Sequence, residues 1–251
     1  MIDFFLELGG LEKFVAILTV VYALCAVIGI ILRFTGRAKI KKYRGVNAAA
    51  GKATVEVARK MLNEKGLNHV LIHRCEDKET PSHYDPVEGY LKLEEKVFAS
   101  PSVGAIAIAC HEAGHAMKHD EEADFGQMRV KLISILTLTN RLIFPCFALG
   151  LILYALVPVF IVSQIGLVFI FLSALGFTGG LFYALISLPF ELDASKRANK
   201  YLGAQKIFSN ADKAGMRKVL KTLKYTYVVE FLYSPVAGVG YVIWRWFVPK
   251  D

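Results

Sequence analysis

The sequence has no C-x-x-C pair; its four cysteines stand apart at Cys25, Cys75, Cys110 and Cys146. That excludes the paired-thiolate metal sites and dithiol redox motifs that such spacing builds. Four free, buried thiols are the expectation. Internal repeats and low-complexity tracts are also missing, which excludes solenoids and fibrous arrays. The most informative absence is of charge. From Leu142 to Phe190 there is no Asp, Glu, Lys, Arg or His. That run is too long for one membrane crossing of ~20 residues and suits two. Ser163-Gln164, near its midpoint, is the expected outer turn. Pro145, Pro158, Gly176, Gly179 and Gly180 are tolerable in membrane helices, where neighbouring groups satisfy the freed backbone. Two crossings return the chain to its starting side, so whatever precedes Arg141 and follows Glu191 shares one compartment.

What is present supports a membrane setting. The 251 residues are 55% hydrophobic, with a mean hydropathy of +0.43. Phe14 to Leu32 is a second uncharged apolar stretch. Asp3, Glu7 and Glu12 precede it with only Lys13, and Arg33 follows it, so it lacks the basic start and small-residue cleavage site of a signal peptide. A retained anchor is expected. The net charge of +8 is concentrated beside apolar runs. Arg33, Arg37, Lys39, Lys41, Lys42 and Arg44 follow the first; Lys213, Arg217, Lys218, Lys221 and Lys224 precede the last. Basic flanks of this kind are drawn to anionic headgroups and mark the cytoplasmic side. The lipid bilayer is thus the expected partner, with the N-terminus outside and residues 33 onward in the cytoplasm. No nucleic-acid-binding motif accompanies the charge, so nucleic acid is excluded as a partner. Tyr225 to Phe247 is apolar but interrupted by Glu230 and Pro235, with Trp244 and Trp246 as an aromatic belt. It reads as a fourth span or an interfacial amphipathic helix.

Between the apolar runs, residues 45–131 look soluble. Thr54 to Lys65 has helical periodicity, with a Thr at its start and Gly66 as its stop. His69 to Arg74 and Gly89 to Glu94 are β-like, with Pro81, Asp85 and Pro86 marking a loop between them. Ser102 to about Glu122 is a helix. The expected organisation is an anchor with its basic flank (1–44), a catalytic unit (45–131), a transmembrane hairpin (132–190), cytoplasmic helices (191–224) and a last membrane helix (225–251). The fold class is a mainly α membrane protein, with a small cytoplasmic α+β zincin-like unit on three to four transmembrane helices.

The chemistry sits in C-H-E-A-G-H-A-M-K-H-D. H-E-x-x-H on a helix projects two imidazoles, at i and i+4, from one face, where they can bind one metal. These are His111 and His115. The residue beside the first, Glu112, can serve as general base toward a metal-activated water. Gly114 would let another backbone approach closely. Catalytic zinc takes three protein ligands. His119 continues the i, i+4 series, but eight helical residues rise about 12 Å, whereas ligand atoms must all lie about 2 Å from one ion. His119 is therefore a surface or supporting histidine. The third ligand must come from another element on the same side of the membrane. Glu191 and Asp193, in L-P-F-E-L-D-A-S-K-R-A just past Pro189, are both candidates on spacing alone.

H-E-A-G-H-A-M-K-H, the upstream A-G-K-A-T-V-E-V-A-R, the loop H-Y-D-P and L-P-F-E-L-D-A-S-K-R-A, taken together, resemble the YugP-like neutral zinc metallopeptidases of bacterial membranes. The likeness runs from about Asn47 to Tyr227. More distantly, a zinc helix, a membrane hairpin and a Glu-bearing helix resemble the HtpX and prenyl-protein protease group of gluzincins. The resemblance implies a bacterial membrane peptidase acting on protein or peptide substrates, with one catalytic Zn²⁺ and Glu191 as third ligand. The distant group carries an Asp four residues after that Glu to orient a zinc histidine. Here the position is Ser195, and Asp193 is the expected substitute.

His83, Tyr84 and Arg197 have chemistry suited to steadying an oxyanion, although loop hydrogen bonds and a solvated helix charge are their ordinary roles. The strand Tyr90 to Glu94 is a candidate for pairing with an extended substrate. Two rival readings are weaker. An intramembrane protease of the site-2 type would embed H-E-x-x-H in a span and carry an L-D-G-like motif. Here Val103 to Ala109 is too short, and the sequence has Leu192-Asp193-Ala194. A membrane scaffold or chaperone with a structural or inactive metal site would have no need of Glu112.

Overall fold

The computed structural model describes residues 9–75, 81–121, 142–157, 159–234 and 236. Its elements are α1 (Gly10–Arg44), α2 (Thr54–Asn63), β1 (Leu71–Cys75), β2 (His83–Asp85), β3 (Tyr90–Glu94), the single turn α3 (Glu95–Phe98), α4 (Val103–Glu121), α5 (Leu142–Leu156), α6 (Phe160–Ala204) and α7 (Asn210–Leu223). They form two compact units. One comprises Met1–Arg33, Ile133–Ala184 and Val228–Asp251; the other comprises Phe34–Leu132 and Leu185–Tyr227.

The first unit is helical and apolar. Among the described residues, two helices, α1 and α6, are long and apolar enough to cross a membrane, and α5 is a shorter apolar helix. Ile17, Val20, Leu24, Leu175 and Phe182 all face outward, an arrangement suited to an apolar environment around them. Inside, Tyr22 Oη and Ser173 Oγ lie 2.8 Å apart, and Ser173 donates to the Ile143 carbonyl at 2.8 Å. These bonds tie α1, α5 and α6 together where no water competes. Gly150 and Gly166 let α5 and α6 touch: a Cβ on either would meet the other's carbonyl oxygen at 2.8 Å.

Two expectations are corrected here. Ser163 and Gln164 are not the outer turn; they lie inside α6, and the break falls between Leu156 and Phe160. Ser163 sits in the helix without cost because its hydroxyl donates to the Phe160 carbonyl at 2.8 Å. Pro189 is not a boundary either, since α6 runs through it to Ala204. A proline removes one helical hydrogen bond, and a helix this long absorbs the loss. Of the expected last span, residues 226–234 are helical, and Glu230 receives a hydrogen bond from Arg33 at 2.7 Å; Trp244 and Trp246 fall outside the described residues.

The second unit is the α+β one. β3 is the middle strand of a three-stranded sheet in the order β1-β3-β2. β1 runs parallel to it (Leu71 opposite Tyr90) and β2 antiparallel (Tyr84 opposite Leu91). Leu91 and Leu93 alternate inward from β3, as the period of two requires. β2 was not anticipated, because the prolines and aspartate around it read as loop. Thr54 does not cap α2; Ala53 holds the cap position, and the buried Thr54 hydroxyl donates to the Ser100 carbonyl at 2.6 Å. α4 is the centre of the unit. Ile106, Cys110, Ala113 and Met117 pack with Met61 and Leu62 of α2, Ala198 and Leu202 of α6, and Met216 and Val219 of α7. Its apolar lead-in is thus a buried core segment. No disulfide joins the cysteines, but only Cys75 and Cys110 are buried; Cys25 and Cys146 are half-buried. Burial pushes the Cys110 thiol up, which keeps it a packing group.

Candidate metal centre

α4 continues unbroken to Glu121, so His111 and His115 stack one turn apart on one face and His119 lies one turn further. Across from them, α6 supplies Glu191. The two helices meet closely at Gly114, where an added Cβ would fall 2.6 Å from the Ala194 carbonyl oxygen. Only a glycine permits that approach, and the approach carries Glu191 to the imidazoles.

The three side chains converge. His111 Nε2 lies 3.0 Å from Glu191 Oε2, and His115 Nε2 lies 3.3 Å from Glu191 Oε1. The two Nε2 atoms are 3.2 Å apart. Donors around a tetrahedral zinc, each 2.0–2.1 Å from the ion, lie about 3.3 Å from one another. The spacing and the two-imidazole, one-carboxylate donor set both fit that ion. His111 and Glu191 are each only 3% exposed. Burial alone would push the Glu191 carboxyl up, but His115 and His111 outweigh it and hold the group well below the usual carboxylate range. A buried anion facing two imidazole nitrogens suits a cation. Among the described residues, no other cluster of three His, Cys, Asp or Glu side chains could hold a metal.

Ser195, one turn past Glu191, contacts His111 on its far side: Oγ is 3.1 Å from Nδ1. The same hydroxyl donates to the Leu220 carbonyl at 3.4 Å. With its proton so used, Ser195 accepts from Nδ1–H, which leaves the His111 Nε2 lone pair directed at Glu191 and His115. Asp193, expected in this orienting role and a rival for the ligand position, does neither. Its Oδ2 accepts from Arg197 Nε at 2.5 Å. On a helix, residue i+2 projects far from the face that i and i+4 share.

Glu112 Oε2 accepts from the Tyr84 backbone N–H at 3.1 Å, which sets β2 against the acid of the motif. The Tyr84 hydroxyl is 3.1 Å from His119 Nδ1. His119 is therefore a half-buried partner of Tyr84, and the helix rise keeps it from the cluster. Burial pushes the Tyr84 phenol up, with Asp120 and Asp85 adding to it. His83 Nδ1 stays within its own loop, 2.9 Å from the Pro81 carbonyl. Arg197 makes a two-pronged pair with Glu121, at 2.7 and 2.6 Å, besides its bond to Asp193. The guanidinium is thereby a clamp between the end of α4 and α6. Asp193 is a local i, i+4 partner, but the half of the clamp that reaches Glu121 had no sequence signal, because that partner lies 76 residues away.

Comparison with known proteins agrees with this geometry. No solved structure matches the chain. It is 32% identical over 202 residues to the "Putative membrane protease YugP" of Bacillus subtilis (strain 168), an alignment covering 80% of this chain and 84% of that protein. Residues 17–245 match the profile of a family described as "Putative neutral zinc metallopeptidase". With nearly all of its length, the two histidines and Glu191 included, inside that match, the chain belongs to this neutral zinc metallopeptidase family.

Proposed function

We propose that the protein is a membrane-embedded, zinc-dependent endopeptidase whose ion is held by His111, His115 and Glu191 and whose general base is Glu112. The observation that carries this reading is the convergence of the three side chains, with ligand atoms within 4.8 Å of one another, where Glu191 of α6 meets the two histidines of the helix that also bears Glu112. When bound, the zinc supplies Lewis-acid polarisation of the scissile carbonyl and a lower pKa for the reacting water.

The protein's own groups supply the rest. Glu112 takes a proton from the attacking water as its oxygen bonds to the carbonyl carbon. It then delivers that proton to the nitrogen as the C–N bond breaks, giving a carboxylic acid and an amine. The Tyr84 N–H at 3.1 Å orients the Glu112 carboxylate. Ser195 keeps His111 in the tautomer that offers Nε2. An extended substrate cannot add to β3, as the sequence reading had it, because β3 has a strand on both sides. We assign that pairing to the edge strand β2, which adjoins Glu112. The basic flanks support a cytoplasmic catalytic side with the N-terminus outside.

The test is zinc content and casein or peptide cleavage for the parent and Glu112→Gln. Retained zinc with cleavage lost by two or more orders of magnitude is expected, in line with what general-base catalysis contributes. Equal cleavage by both proteins would overturn the proposal.

A further inference from the structure

Behind the metal centre, on the far side of Ser195, α6 and α7 flank an open cavity of about 500 Å³. Its wall on α6 includes Leu192, Ser195, Lys196 and Asn199, and its wall on α7 includes Ala214, Arg217, Lys218 and Lys221, with Lys224 just beyond. The spacings i, i+3, i+4 and i+7 on each helix put these residues on single facing stripes. Five of the side chains around the cavity are cationic and none is a carboxylate. Among the described residues, none of the five forms an ion pair, whereas Arg197, which lies outside the cavity wall, is paired twice. Like charges one turn apart on a helix repel. A folded chain that gathers five of them around a concavity, unpaired, is poised for an anion.

We propose that this cavity is a binding site for a phosphate-bearing anion, held by Lys196 from α6 and Arg217, Lys218 and Lys221 from α7. A guanidinium offers a fork matched to phosphate oxygens, and ammonium groups add point charges around it. Two sources carry this chemistry: a free phosphate and the headgroup of an anionic phospholipid. The headgroup accounts for more of the site. Leu192 stands two residues past Phe190, where the uncharged run ends, and basic pockets at that level of membrane helices accept acidic headgroups. The apolar Leu192 and Leu220 beside the charges suit an acyl-glycerol stem better than bulk water.

The test uses the full chain in neutral detergent, as parent and as Glu112→Gln, so that its outcome is independent of peptidase activity. Binding is followed by the rise in melting temperature on titration with dioctanoyl phosphatidylglycerol, dioctanoyl phosphatidylcholine and inorganic phosphate. Saturable binding of phosphatidylglycerol, equal in both proteins and absent for phosphatidylcholine, is expected. Arg217→Gln with Lys221→Gln should weaken it about thirty-fold, or about 2 kcal/mol at 1.4 kcal/mol per decade, what two basic residues at an anionic surface contribute. Lys213→Gln, on the same helix but outside the cavity wall, should leave it unchanged. The single Lys196→Gln variant provides the same reading from α6 if the double variant fails to fold. Tighter binding of phosphatidylglycerol than of phosphate assigns the site to lipid; equal binding assigns it to free phosphate. Equal binding of phosphatidylcholine, undiminished binding after removal of the cavity's charges, or no saturable binding at all would overturn the proposal.

Discussion

Ser195 Oγ lies 3.1 Å from His111 Nδ1, on the side of the imidazole opposite Glu191. One helical turn of α6 thus grips both faces of the same ring: a carboxylate at residue 191 meets Nε2, and a hydroxyl at residue 195 meets Nδ1. The carboxylate of Asp193 was the expected occupant of the second role. Here a serine suffices because the Leu220 carbonyl takes its proton and turns the hydroxyl into an acceptor.

The first prediction follows from that grip. Ser195→Ala removes the acceptor, frees the tautomer and should lower zinc affinity by about 10- to 100-fold, the usual effect of losing a partner behind a ligand histidine. Competition with a chelator measures it. Ser195→Thr keeps the hydroxyl and should restore most of the loss. Equal affinities for Ala and parent would remove Ser195 from the site.

Glu191 and Asp193 are two residues apart, and on spacing alone both were candidates. Their surroundings now separate them. Glu191→Gln should abolish stoichiometric zinc, because the amide loses the charge that two buried imidazoles face. Asp193→Asn should keep its zinc and lose only a contact to Arg197. Metal analysis of the two purified variants tests this directly. Zinc lost from Asp193→Asn and kept in Glu191→Gln would reverse the ligand assignment.

The parts of this molecule that the sequence announces are those whose signals are local. The zinc helix was expected from Ser102 to about Glu122 and runs from Val103 to Glu121, because an apolar lead-in and H-E-x-x-H share one helical period. α2, β1 and β3 were recognisable for the same reason. β2 was not, since three residues among prolines carry no periodicity; only its pairing with Leu91 makes it a strand. The hairpin turn was misassigned to Ser163-Gln164 because polarity is a weak marker inside a lipid-facing helix, where a serine can bond its own turn. Arg197 illustrates the deeper limit. Its i, i+4 partner Asp193 is on its own helix and readable from spacing, but Glu121 lies on another helix, and nothing in the sequence around Arg197 reveals that meeting.

Gly114 offers a test of packing without touching a ligand. A methyl group there would lie 2.6 Å from the Ala194 carbonyl oxygen and 2.9 Å from its Cα, both backbone atoms that cannot swing aside. Gly114→Ala should therefore wedge α6 from α4, cost about 1–3 kcal/mol as overpacking does, and release zinc as Glu191 retreats. Gly203→Ala, with nothing within 4 Å of its added Cβ, should be neutral or stabilising by up to about 1 kcal/mol from helix propensity. Melting temperature and zinc content read both effects. An unaltered Gly114→Ala would mean that the helices are not held this close.

The Arg197 clamp has a pH dependence whose sign follows from Glu121. Its hydrogen bonds from Arg197 hold the carboxyl below the ordinary value of 4.5, and the nearby Lys118 and Lys65 add to that. A carboxylate whose folded pKa is depressed stabilises the fold above its unfolded pKa, and the contribution is lost as pH falls through the lowered folded value. Glu121 is largely exposed, so the effect is that of a screened pair, about 0.5–1 kcal/mol for a two-pronged contact. Glu121→Gln should thus melt slightly below the parent at pH 7, by that amount, with the gap narrowing once pH drops below about 4.5. High salt should narrow it at pH 7 as well. A gap that stays constant down to pH 3 would show that the carboxylate's charge has no part in joining α4 to α6.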